Sequence, residues 1–175
     1  MRRIVGTAIA MVAVSAAMAV PALAGPQPMA SGGGKTHDGA SYGFNAKDDN
    51  RGSFNYVGVT EHRIRVNGTV IPVGSRFIGH CFAYTRTNFD IVRADPGGEA
   101  RLFARCRGFF FVDGGPPIRT RVFLQAHVVD FGEPGRRDRA WIAWGLHPAP
   151  GQGDAGLFIW DGGTVQRGNI QVKFA

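Results

Sequence analysis

No stretch of ten residues carries apolar side chains at a 3.6-residue period between recognisable caps, so the sequence offers no candidate helix. His37, His62, His80, His127 and His147 contain no i, i+2 or i, i+4 pair, which leaves a histidine metal site without local basis. Ser31, Ser41, Ser53 and Ser75 lack the Gly-x-Ser-x-Gly elbow of a hydrolase. Beyond residue 24 there is no apolar run of bilayer-spanning length. Lys35, Lys47 and Lys173 are the only lysines, so arginine supplies most of the basic charge, and arginine pairs bidentately with carboxylate and phosphate. From these absences no catalytic residue, metal or cofactor is assigned.

What is present begins with a secretory layout. Arg2 and Arg3 form a charged start, residues 4–20 are apolar and alanine-rich, and Ala22-Leu23-Ala24 supplies a small-x-small cleavage site. Read this way, residues 1–24 are a signal peptide and the protein is secreted, with no membrane span after cleavage. The remaining 151 residues carry 18 basic and 13 acidic side chains, a formal charge of +5. That length suffices for one domain with its own core.

Glycine and proline contribute 34 of those 151 residues and punctuate short β-branched and aromatic runs at roughly ten-residue intervals. Residues 25–38, with Pro26, Pro28 and Gly32-Gly33-Gly34, read as a flexible N-terminal segment. Gly34-Lys35-Thr36 resembles part of a phosphate loop, but Met29 stands where its first glycine belongs, which excludes a nucleotide site. Residues 39–175 read as a single all-β domain, a sandwich or, less readily, a barrel of about eight to ten short antiparallel strands. Candidate strands are 40–46, 53–59, 76–85, 101–112, 119–129, 139–146, 156–160 and 169–174.

Two hairpins stand out. Asn67-Gly68 lies between the β-rich runs 61–66 and 69–73, and these two residue types best tolerate the positive φ of a two-residue turn. Pro72 marks the second arm as an edge or a bulge. In the other hairpin, a period of two puts Leu102, Ala104, Cys106, Phe110 and Val112 on one face with Val122, Leu124, Ala126 and Val128. The opposite face carries Arg101, Phe103, Arg105, Arg107, Phe109 and Phe111 with Arg119, Arg121, Phe123, Gln125 and His127. Pairing across Asp113–Pro117 is expected to set Arg107 beside Phe123 and Arg119 beside Phe111. Arg101, Arg105, Arg107, Arg119 and Arg121 are the candidate contacts for a polyanion, or else they cover the rings from water.

Cys81 and Cys106 are the only cysteines, and each falls on the less charged face of its strand, which suits a disulfide in an exported chain. Asp48-Asp49-Asn50, and Asp130 with Glu133 and Asp138, offer too few oxygens for calcium and suit turn chemistry instead. Glu133 and Asp138 also fit a glycosidase pair in residue type alone. Trp141, Trp144 and Trp160, with Tyr42, Tyr56 and Tyr84, are candidates for a sugar-stacking platform. Trp141 and Trp144 differ in parity, so at least one belongs to the core.

Residues 40–47, the segment Val129-Asp130-Phe131-Gly132-Glu133-Pro134-Gly135 ahead of Asp138, the pair Gly162-Gly163 and the closing Gly168-Asn169-Ile170-Gln171-Val172 resemble a β-rich domain of secreted bacterial proteins. It is the kind that follows a choice-of-anchor domain and has no known function. Such domains close with a histidine where this chain has Lys173. The resemblance implies an extracellular β domain and no catalytic residue. The leading expectation is an exported, non-enzymatic domain with an interaction or structural role at the cell envelope. A carbohydrate or polyanion binding module, with a cell-envelope glycan as partner, comes second and an extracellular hydrolase third.

Overall fold

The computed structural model describes residues 27–91, 97–132, 135–148 and 156–174. The signal segment 1–24, Gly25 and Glu133 lie outside the described residues. The strands are β1 (Met29–Lys35), β2 (Ser41–Lys47), β3 (Arg51–Val59), β4 (Ile64–Val66), β5 (Thr69–Ile71), β6 (Arg76–Ala83), β7 (Arg86–Asp90), β8 (Gly98–Phe111), β9 (Ile118–Asp130), β10 (Arg139–Gly145), β11 (Leu157–Thr164) and β12 (Arg167–Lys173). The protein is all-β, as expected. Among the described residues, ten strands form one antiparallel sheet ordered β11-β10-β9-β8-β6-β3-β2-β1-β12, with β7 also beside β8, while β4 and β5 form a separate ribbon.

Alternation shapes the large sheet. Leu102, Ala104, Cys106 and Phe110 of β8, with Val122, Leu124, Ala126 and Val128 of β9, are buried on its inner face, and their neighbours in sequence point outward. The sheet curls until that inner face meets itself. Trp144 of β10 packs edge-on against Phe54 of β3 at 6.1 Å and Phe77 of β6 at 5.3 Å, and Phe158 of β11 meets Phe77 at 4.9 Å. Gly79 of β6 makes this possible, because a β-carbon there would lie 2.6 Å from the Trp144 ring.

Carboxylates occupy amides along both outer edges of the curled sheet. At β11, Glu61 accepts the Trp160 amide at 3.0 Å while its own amide donates to the Phe158 carbonyl at 2.8 Å. At β12, Asp138 accepts the Ile170 amide at 2.8 Å and Asp130 accepts the Val172 amide at 2.9 Å. Unpaired edge amides recruit foreign strands, so these side chains serve as caps.

Met29–Lys35, expected to lie within a flexible lead, is instead β1, hydrogen-bonded to β2 on one side and β12 on the other. Its glycines carry no side-chain pattern, yet the close approach of the neighbouring strands needs them: a β-carbon on Gly34 would fall 2.3 Å from the Arg167 carbonyl oxygen. The Asn67-Gly68 hairpin is present, with φ of 49° and 84° at the two turn residues. Pro72 sits just past β5, where its carbonyl accepts the Thr60 hydroxyl at 2.7 Å.

Candidate functional site

The outer face of β8 and β9 carries the expected residues at a different register. Arg105 faces Phe123, Arg107 faces Arg121 and Phe109 faces Arg119, a two-residue slip from the expected Arg107–Phe123 and Arg119–Phe111 partners. Gly115 closes a turn on the Val112 carbonyl, and Pro116 and Pro117 have no amide to offer a ladder, so pairing starts only at Phe110 and Ile118. Guanidinium groups lie over rings: Arg105 over Phe123 at 5.9 Å, Arg107 over Phe82 at 5.5 Å and Arg119 over Phe109 at 5.9 Å. Arg101 pairs with Glu99 at 3.1 Å, and the other Glu99 oxygen meets His127 Nε2 at 2.9 Å.

The six aromatic residues proposed as a platform divide sharply. Trp144, Tyr42, Tyr56 and Tyr84 are buried core residues. Trp141 and Trp160 remain on the outer face, Trp160 with 38% of its surface exposed. Ala143 of β10 faces Gln125 of β9 on one side and Trp160 of β11 on the other; one step along, Trp141 lies between His127 and Gly162. The His127 and Trp141 rings stack with centroids 5.2 Å apart, 23° from parallel. A β-carbon at Gly162 would come within 2.6 Å of the Trp141 ring, so the indole lies across the β11 backbone. These small residues leave a hollow of about 310 Å³ bounded by Gln125, His127, Trp141, Ala143 and Trp160. Two indoles and Ala143 supply its apolar lining, and the Gln125 amide and the His127 imidazole, bonded to Glu99, supply polar groups.

A second hollow, of about 380 Å³, opens where β8 changes partner from β6 to β7, and it is lined by His80, Phe82, Arg105, Arg107 and Arg121 among others. Beneath it Cys81 and Cys106 form a disulfide with Cα atoms 4.4 Å apart, as expected from their faces.

The acidic loops serve the fold. Asp49 pairs with Arg51, and Asn50, at φ 64°, accepts the Thr87 amide at 2.9 Å. Asp130 and Asp138 cap β12, and Asp138 also accepts the Phe131 amide at 3.0 Å. Asp130 and Asp138 thus bring the loop after β9 into direct contact with β12. Burial raises the Asp161 carboxyl above its ordinary range, opposed by bonds from Thr36 and from Tyr56, whose hydroxyl donates at 3.1 Å. Among the described residues no group of three or more His, Cys, Asp or Glu could hold a metal ion.

The residues that sequence reasoning left without a role are Gln125, His127 and Ala143. Their parity was legible; their meeting with Trp141 and Trp160 depends on how β9, β10 and β11 pair. No family model, curated protein or solved structure matches the chain.

Proposed function

We propose that the protein is an exported, non-catalytic β domain that binds carbohydrate on the Trp141–Trp160 shelf. One observation carries this reading: two tryptophans outside the core share one sheet face around Ala143, beside a hydrogen-bonding amide and an imidazole. Indole faces offer large, rigid apolar area with little rotamer entropy to lose, which suits the C–H faces of a pyranose ring. Gln125 and His127 then supply directional bonds to ring hydroxyls, the mix of apolar walls and few polar groups that marks a small-molecule site. Export is supported by the signal layout of residues 1–24 and by the Cys81–Cys106 bridge, which suits an oxidising compartment. The resemblance to secreted bacterial β-rich domains points the same way.

The test is a glycan array probed with the protein, followed by titration of the best ligand while following tryptophan fluorescence. Trp160→Ala, at an exposed position, is expected to weaken binding about tenfold or more, the loss of one stacked ring. Absence of any glycan signal, or affinity unchanged in both Trp160→Ala and Trp141→Ala, overturns the reading. Export is tested separately: the secreted product is expected to begin at Gly25.

A further inference from the structure

We infer that the glycan held on this shelf is acidic, and that Arg105, Arg107 and Arg121 form the subsite for its carboxylate or sulfate group. This rests on the carbohydrate reading and narrows it to a ligand class.

Arg107 and Arg121 stand directly opposite one another on β8 and β9, with Arg105 two residues along β8. Like charges placed opposite in a sheet repel. Further along this face Glu99 pairs with Arg101. Among the described residues no carboxylate lies within ion-pair distance of Arg105, Arg107 or Arg121. All three side chains are exposed, so water and salt tolerate the arrangement, but an oxyanion placed between them would replace repulsion by charge-assisted bonds.

Two of the cations also have ring partners. Arg105 lies over the Phe123 ring and Arg107 over the Phe82 ring, contacts that bias the two guanidinium groups towards this face while their N–H groups stay available to a planar or tetrahedral oxyanion. The three arginines border the hollow of about 380 Å³ at the break between β6 and β7. His80, directly opposite Arg107, stands at its rim with one ring nitrogen 2.7 Å from the Asn55 side-chain oxygen. The disulfide beneath ties β6 to β8 where their ladder ends, so the rim keeps its shape.

The two hollows flank β9, the tryptophan hollow on its β10 side and the arginine hollow on its β8 side. Arg121, Phe123, Gln125 and His127 are alternate residues on the outer face of β9, and at about 3.3 Å per residue Arg121 and Gln125 are roughly 13 Å apart. A polysaccharide with one ring against the tryptophans and crossing β9 obliquely over Phe123 therefore brings a later unit to the arginines. That geometry selects an extended chain with an acidic group within reach of the stacked ring, a uronate or sulfated glycan.

The experiment compares four hexamers by calorimetry against the full chain: a neutral oligosaccharide, an oligouronate, a sulfated oligosaccharide and single-stranded DNA. At least one acidic glycan is expected to bind about tenfold more tightly than the neutral one at about 0.05 M salt, the gain of a charge-assisted bond. That advantage should shrink towards unity near 0.5 M salt. Arg105→Gln with Arg121→Gln should remove the advantage and leave neutral binding intact; Arg105→Lys with Arg121→Lys, which keeps the charge, should retain part of it and controls for folding. Trp160→Ala should weaken neutral and acidic glycans alike.

Equal affinity for neutral and acidic glycans, with Trp160→Ala abolishing both, overturns the arginine subsite and leaves the shelf standing. Acidic binding that depends on the arginines but not on Trp160 overturns the shelf instead. DNA bound as tightly as the best glycan, or an acidic preference that survives the double glutamine variant, overturns the inference.

Discussion

The Asp138 carboxylate accepts the Ile170 amide at 2.8 Å, tying the residue before β10 to the outer edge of β12. Asp138 is fully buried, and its second oxygen holds the Phe131 amide at 3.0 Å. One side chain thus shapes the loop after β9 and caps the last strand. Asp138→Ala is expected to cost about 2–3 kcal/mol of unfolding free energy, because it strands two amides away from water. Asp138→Asn, which keeps an acceptor, should cost less. Urea denaturation of both variants provides the comparison, and equal midpoints for parent and alanine variant would contradict the capping role.

Burial raises the Asp161 carboxyl above its usual 3.8, and burial likewise raises Glu61 above 4.5. The folded chain therefore holds these protons more tightly than the unfolded chain does. Their stabilising contribution is complete below the unfolded values and is lost as pH rises through the raised folded values. Asp161→Asn preserves an acceptor for Tyr56 and removes the charge. It should flatten the stability profile above about pH 4 and raise the melting temperature at pH 7. A steeper profile, or a lower melting temperature at pH 7, would contradict this assignment.

Reduction of Cys81–Cys106 opens a loop defined by a sequence separation of 25. The loop-entropy model gives a loss of roughly 3.5 kcal/mol. The oxidised protein should weigh two hydrogens less than the reduced form by intact mass. Two alkylatable thiols in the native, air-exposed protein would show that the bridge is not formed.

At Gly79 the prediction is steric. The Trp144 ring occupies the space where a β-carbon would stand, 2.6 Å from the nearest ring atom. Trp144 is fully buried among Phe54, Tyr56 and Phe77, so it has little room to retreat. Gly79→Ala should destabilise the fold by about 1–3 kcal/mol. The same change at Gly114, where nothing lies within 4 Å but φ is +69°, should cost about 1 kcal/mol, from backbone strain alone.

The inner face of β8 and β9 was legible because both strands alternate apolar residues with a second set rich in arginine, interrupted only at Gly108 on the inner side. β1 was not, since three of its seven residues are consecutive glycines whose use is close backbone approach rather than side-chain burial. β7 (Arg86–Asp90) was missed because its outward residues are polar and its buried member is Thr87, a weak apolar signal. β11 runs through Thr164, four residues past its expected end, since Gly162 and Gly163 read as a turn yet stay within the ladder. For the site, parity separated Trp141 from Trp144. Nothing local could bring Trp160 beside Ala143, because β10 and β11 are joined by a long glycine- and proline-rich connection that sets no register.

The pairing of β1 with β12 sets Ala30 opposite Val172. Their ladder closes a loop spanning nearly the whole described chain, so its cost in chain entropy is met only after the intervening strands have collapsed. A polypeptide emerging progressively from a ribosome or a translocation channel has no partner for one side of β1 until residue 172 is free. Until then the glycine-rich first strand is half-paired and exposes its amides. Sheet completion therefore waits for β12, and a chain truncated before Arg167 should leave β1 unpaired on the side away from β2.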